Sequence, residues 1–202
     1  GEEVYSLAIL LQEENLYEPF RIRFEVFTEG KKDTPLDILR KKIAPNGSVS
    51  TFLDKLIKDE PSLWHDIKEF QIQKQKGLIL IFDQFEELFT YPAESILQFK
   101  QQLEETLYTV IPDRYGKVLE QFLAADQLSL TSEQIQLLQT PPEIKIIISI
   151  RSDRKYLLDK LADSLPSIQK TGYELNPLEI SNARSAITQP AQVEDKNLAS
   201  PV

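Results

Sequence analysis

The stretch Gly77-Leu78-Ile79-Leu80-Ile81-Phe82-Asp83-Gln84-Phe85-Glu86-Glu87-Leu88-Phe89-Thr90-Tyr91-Pro92 decides the fold. Its apolar run from Leu78 to Phe82 is too short for a buried helix and suits a strand covered on both faces. The run stops at Asp83, and Glu86 and Glu87 follow. A carboxylate at the C-terminal tip of a buried parallel strand stands where open α/β sheets bind ligands. Asp83 is placed to hold a hydrated Mg²⁺, and Glu86 or Glu87 to orient or deprotonate a water. Acids after a hydrophobic strand also occur where there is no chemistry, so this pattern alone leaves an ordinary strand end open.

Upstream, Leu63, Ile67 and Phe70 predict a helix opened by Pro61, and Trp64 and His65 lie on it. A lone His on a helix is far more often structural than catalytic. Phe52, Leu53, Leu56 and Ile57 predict another helix. Thr34-Pro35 opens a short one, with Pro at the first helical position and Asp37 three residues after the cap. Phe20 to Phe27 alternates apolar and polar residues, as a half-covered strand near a sheet edge does. Val4 to Gln12 has a helical apolar face.

Downstream, Ile96, Phe99, Leu103, Leu107 and Val110 recur at helical spacing until Pro112. Asp113 to Pro142 holds two more helical patterns, the second with a capping box at Thr131 and Gln134. Glu143 to Ile150 is nearly all apolar and β-branched, which predicts a second strand buried on both faces. Arg151 comes one residue past its tip. An arginine there can reach a γ-phosphate with its planar fork, or it can be a surface residue paired with Asp153 or Asp159. A helix through Tyr156, Leu157, Leu158 and Leu161, a short strand at Gly172–Leu175 and a helix through Leu178, Ile180, Ala183 and Ile187 complete the chain. Strand and helix alternate throughout, which predicts an α/β parallel sheet with helices on both faces.

Composition bounds the function. The 202 residues suit one domain, or one with a helical appendage, and carry a net charge of −9 without a basic cluster. Nucleic-acid binding through this segment is therefore disfavoured. There is no cysteine, and only one histidine, so thiol chemistry and His-cluster metal sites are excluded. No apolar run approaches the roughly 20 residues of a membrane span, and no secretory signal precedes the domain. A bacterial-type cytoplasmic protein is the default expectation. Gly1 is not a natural start and methionine is absent, so the chain reads as a segment excised from a longer protein, or as one with residues dropped.

Apolar-D-Q-F-E-E-L-F at residues 78–89 resembles the Walker B strand of the STAND NTPases, signalling ATPases of the P-loop class, and above all their bacterial novel STAND group. I-S-I-R-S-D-R at 148–154 resembles that group's sensor strand. Tyr173-Glu174-Leu175-Asn176-Pro177-Leu178, followed by Ala186-Ile187 and Pro190-Ala191, matches its later strand and helix. The resemblance runs from about Leu7 to Pro201. It implies a three-layer P-loop NTPase-like domain, here partial. An α/β core spans 4–175 with a helical insertion at about 113–142, and 176–202 begin a C-terminal helical part. By likeness Asp83 takes the Mg²⁺ role, Glu86 with Glu87 beside it the water-activating role, and Arg151 the nucleotide-sensing role.

The family's first strand and its G-x-x-x-x-G-K-[ST] loop belong immediately before Leu7, where only Gly1-Glu2-Glu3-Val4-Tyr5-Ser6 stands. Ser6-Leu7 corresponds to the end of the loop, which makes Ser6 the remaining nucleotide-binding candidate. The loop was removed, lies outside this sequence, or is absent from a degenerate domain. The intact acids favour the first two. By resemblance the missing strand sits mid-sheet, between residues 144–150 and 172–175. The implied function is an ATP·Mg²⁺-binding signalling ATPase, a conformational or oligomerisation switch with fused sensor or effector domains, and a fragment that by itself hydrolyses ATP poorly or not at all. The alternative is a nucleotide-free scaffold for self-association or partner binding. A metal-dependent phosphoesterase needs acids from several strand ends, and only one acidic tip is present.

Overall fold

A computed structural model describes residues 16–30, 32–44, 52–53, 62–124, 130–168 and 172–175. The helices expected at Val4–Gln12 and Leu178–Ile187 lie outside these residues, as does Ser6. Of the Phe52–Ile57 helix, only Phe52 and Leu53 are described, and both are helical. The chain divides into two compact units, Gly1–Lys170 and Thr171–Val202.

The first unit is an α/β fold: a small parallel sheet with surrounding helices. Its described strands are β1 (Tyr17–Arg23), β2 (Gly77–Asp83) and β3 (Ile144–Ile148), in the order β1-β2-β3. Both pairings are parallel. Tyr17 to Arg23 lie opposite Gly77 to Asp83, and Leu78 to Phe82 opposite Ile144 to Ile148. Every residue of β2 is buried, as the apolar run predicts. β1 starts and ends earlier than the Phe20–Phe27 alternation suggests, because β2 ends at Asp83 and offers no partner beyond Arg23. Val26 is accordingly exposed.

Alternation divides the sheet's side chains between two faces. Leu78, Leu80 and Phe82 join Ile22 and Phe24 in the main core, with Leu39, Ile43, Leu63, Ile67, Phe99, Leu103, Leu158 and Leu161. These come from α1 (Pro35–Ile43), α2 (Leu63–Lys74), α3 (Ala93–Tyr108) and a 3₁₀ helix at Ser152–Leu161. Ile79 and Ile81 face the other way, with Tyr17 and Ile147 at their rim. The expected helices on both faces are thus seen, among the described residues, on the Phe82 face.

Caps follow the sequence. Thr34 and Asp37 form a full capping box on α1, and Thr131 and Gln134 form one on α5 (Ser132–Gln139). α4 spans Asp113–Ala124. Ser62 caps α2 through its side chain, and Pro61 falls outside the described residues. α2 is buried at seven consecutive positions, Leu63–Glu69, polar ones included. One side meets the main core; Trp64 on the other meets Leu53, Tyr115 and Leu138. Its buried charges are held. Arg40 grips Asp66 at 2.5 and 3.4 Å, and Lys68 Nζ donates to the carbonyls of Leu137 and Thr140.

Three further expectations are corrected. β3 is half-buried rather than buried on both faces, and Lys145 is exposed; among the described residues its outer edge has no partner strand. The helix expected through Tyr156–Leu161 is 3₁₀, which still buries Leu157, Leu158 and Leu161 and leaves Tyr156 exposed. In the second unit, Gly172–Leu175 has no strand structure, and Tyr173 is 89% exposed.

Candidate functional site

Parallel pairing sets the C-terminal tips of β1, β2 and β3 at one end of the sheet. Asp83 is the last residue of β2, and Arg151 follows β3 by three residues. The two tips are stitched beyond the ladder: Ser149 N–H donates to the Phe82 carbonyl at 2.8 Å, and Phe85 N–H donates to the Ser149 carbonyl at 3.0 Å. Asp83 and Arg151 therefore crown neighbouring strands at the same end.

Directly after Asp83 the chain turns sharply. Gln84 takes the left-handed conformation, φ 53°, which side-chain-bearing residues rarely adopt. Its Oε1 accepts from Arg23 Nε at 2.6 Å. A 3₁₀ helix, Phe85–Thr90, begins at once and buries Phe85 and Leu88. This anchoring leaves Glu86 and Glu87 half-buried on the same turn. Glu86 Oε2 is buried and accepts no hydrogen bond. Such an atom costs about 1–3 kcal/mol relative to a satisfied one. A buried acceptor of this kind calls for a bound water, proton or ion as its partner.

Asp83 is mostly buried, its side chain 12% exposed, and it is already paired. Arg21 Nη2, from β1, donates to Asp83 Oδ2 at 2.5 Å. The alternation over Phe20–Phe27 puts Arg21 and Arg23 on the polar side of a strand near a sheet edge. The signal that finds them is register: Arg23 lies opposite Asp83 and Arg21 opposite Ile81, so all four side chains share one face. Arg151 stands apart from this pair. It is 67% exposed and donates to Asp153 Oδ2 at 3.0 Å, the local partner that its sequence also allowed.

Among the described residues no three His, Asp or Glu side chains gather into a metal cage. Mg²⁺ does not need one, since it binds through one or two carboxylates, waters and substrate phosphates. The Asp83 carboxylate, an oxygen donor at the tip of β2, has the chemistry that such an ion takes. No helix among the described residues is long and apolar enough to cross a membrane.

Comparison with known proteins adds one match. The family model described as Novel STAND NTPase 1 matches residues 13–201, most of the chain. No curated protein and no solved structure matches it. That match covers more than half of the chain, and the chain belongs to the novel STAND NTPase family.

Proposed function

We propose that this domain binds ATP·Mg²⁺ at the carboxyl ends of β2 and β3 and serves as the ATPase switch of a larger, self-associating signalling protein with fused sensor or effector domains. The observation that carries this is the pairing of β2 with β3, which sets Asp83 and Arg151 on adjacent tips at the end where α/β sheets take their ligands. Bound Mg²⁺ would neutralise charge on the phosphates. Asp83 holds that ion through its carboxylate. Glu86 positions a water and accepts its proton, and Glu87 stands beside it. Arg151 breaks its exposed link to Asp153 and turns to the γ-phosphate, which converts binding into a conformational response. Ser6 would add a phosphate contact beside whatever loop binds the remaining phosphates.

The test is a melting titration of the full-length protein with ATP·Mg²⁺. Ligand at a hundred times Kd is expected to add about 2.7 kcal/mol of stability. Asp83→Asn is expected to weaken that shift, and Glu86→Gln to keep it while hydrolysis is lost. No shift in a protein that carries its phosphate loop overturns the proposal and leaves the scaffold reading. Unchanged turnover in Glu86→Gln, Glu87→Gln removes the catalytic assignment.

A further inference from the structure

From the Arg21–Asp83 pair we infer that Arg21 is a resident counter-cation for Asp83 which a metal ion has to displace, a positioning residue that sets how strongly nucleotide binding depends on metal. This rests on Asp83 being the Mg²⁺ carboxylate proposed above.

The two partners are unequally buried. The Asp83 side chain is 12% exposed and that of Arg21 is 47% exposed. A carboxylate withdrawn that far from water needs a cation beside it, since an unpaired buried charge is costly. A guanidinium with half its surface in solvent does not need the carboxylate. Its charge stays partly hydrated whether or not the pair is formed, and its side chain is long enough to shift away from Asp83. A divalent ion on Asp83 would share the carboxylate with the guanidinium, whose Nη2 lies 2.5 Å from Oδ2, and the two positive charges would repel each other in a part-buried site. Asp83 therefore has two alternative partners, Arg21 without metal and the ion with it.

The neighbouring contact makes the exchange local. Arg23 Nε holds Gln84 Oε1 at 2.6 Å, two residues beyond Arg21 on β1 and one beyond Asp83, so β1 stays tied to the end of β2 when Arg21 leaves. The β1–β2 ladder, complete from Tyr17–Gly77 to Arg23–Asp83, does not depend on the pair either. What changes is the charge on Asp83, and with it the contribution that metal makes to binding.

The measurement is the affinity of the full-length protein for ATP in Mg²⁺ and again in EDTA. The ratio of the two dissociation constants is the metal-dependent part. Arg21→Gln is expected to raise that ratio about fivefold, the equivalent of one part-exposed ion pair, and to lower the melting temperature in EDTA without ligand. Arg21→Lys, which keeps a point charge but loses the planar fork, is expected to raise it about twofold and guards against an unstable Gln variant. Asp83→Asn separates the two levels of the claim. If it leaves the ratio at the wild-type value, Asp83 is not the metal carboxylate and the functional proposal fails. If Asp83→Asn abolishes the ratio while both Arg21 variants leave it unchanged or lower it, the metal role stands and displacement of Arg21 is wrong.

Discussion

The tips of β2 and β3 are neighbours, yet they are built in opposite ways. At the end of β2 the carboxylate is buried, gripped from β1 by Arg21, and followed by a left-handed residue and a 3₁₀ turn sealed by Phe85 and Leu88. At the end of β3 the arginine is mostly in solvent and, among the described residues, bound to Asp153, two residues on. The strands themselves differ likewise: all seven residues of β2 are buried, while β3 is half-buried. One tip is preassembled and the other is free to reorient. In the proposed site, this arrangement would hold Asp83 in place before ligand arrives and leave Arg151 able to move.

The contrast is open to attack at several points. Phe82 is fully buried among Phe24, Phe85 and Phe99, so Phe82→Ala is expected to cost about 3–5 kcal/mol in urea unfolding. Half-buried Ile148, opposite it, is expected to cost roughly half as much on truncation to Ala. Equal losses would mean that β3 is as closed as β2. The start of β2 is tight as well. A Cβ on Gly77 would come within 2.6 Å of the Tyr17 ring and 3.2 Å of the Glu143 carbonyl. Gly77→Val is expected to destabilise by about 1–3 kcal/mol, and a neutral result would show that Tyr17 moves aside freely.

The approach to β3 is held by side chains rather than by a second ladder. Lys68 reaches the carbonyls of Leu137 and Thr140, and Gln71 reaches that of Glu143 at 3.1 Å. Burial pulls the Lys68 ammonium from 10.5 down to about 8. Between those values the unfolded chain binds the extra proton, so stability is held back below about pH 8 and rises as pH climbs to 10.5. The wild-type curve is expected to gain on the order of 2 kcal/mol over Lys68→Met across that window. Parallel curves would show that the ammonium is as well solvated as in water. The smallest effect belongs to Arg151. Its pair with Asp153 is exposed, so Arg151→Ala is expected to change stability by no more than about 0.5 kcal/mol. A larger loss would erase the distinction between a fixed tip and a movable one.

Much of this was legible in the residues. The apolar run before Asp83 reads as a buried strand, and Thr34-Pro35 and Thr131 with Gln134 read as helix starts, because each signal is local. Arg21 escaped because its meaning depends on register with a strand some sixty positions away. His65, Asp66, Lys68 and Glu69 look like a solvated helix face and are buried, because a second cluster around Trp64 covers that side. Glu86 and Glu87 were singled out together, but only packing shows that one Glu86 oxygen lacks a partner.

The amino-acid order alone settled the α/β class, the strand that ends in Asp83 and the arginine that follows β3, since hydrophobic periodicity and strand-end chemistry are written in neighbouring residues. Tertiary structure alone decided that β1 supplies a cation to Asp83 and that the β3 tip stays solvated. Each of those facts depends on the lateral order and register of strands distant in the chain, and short-range patterns carry no information about either.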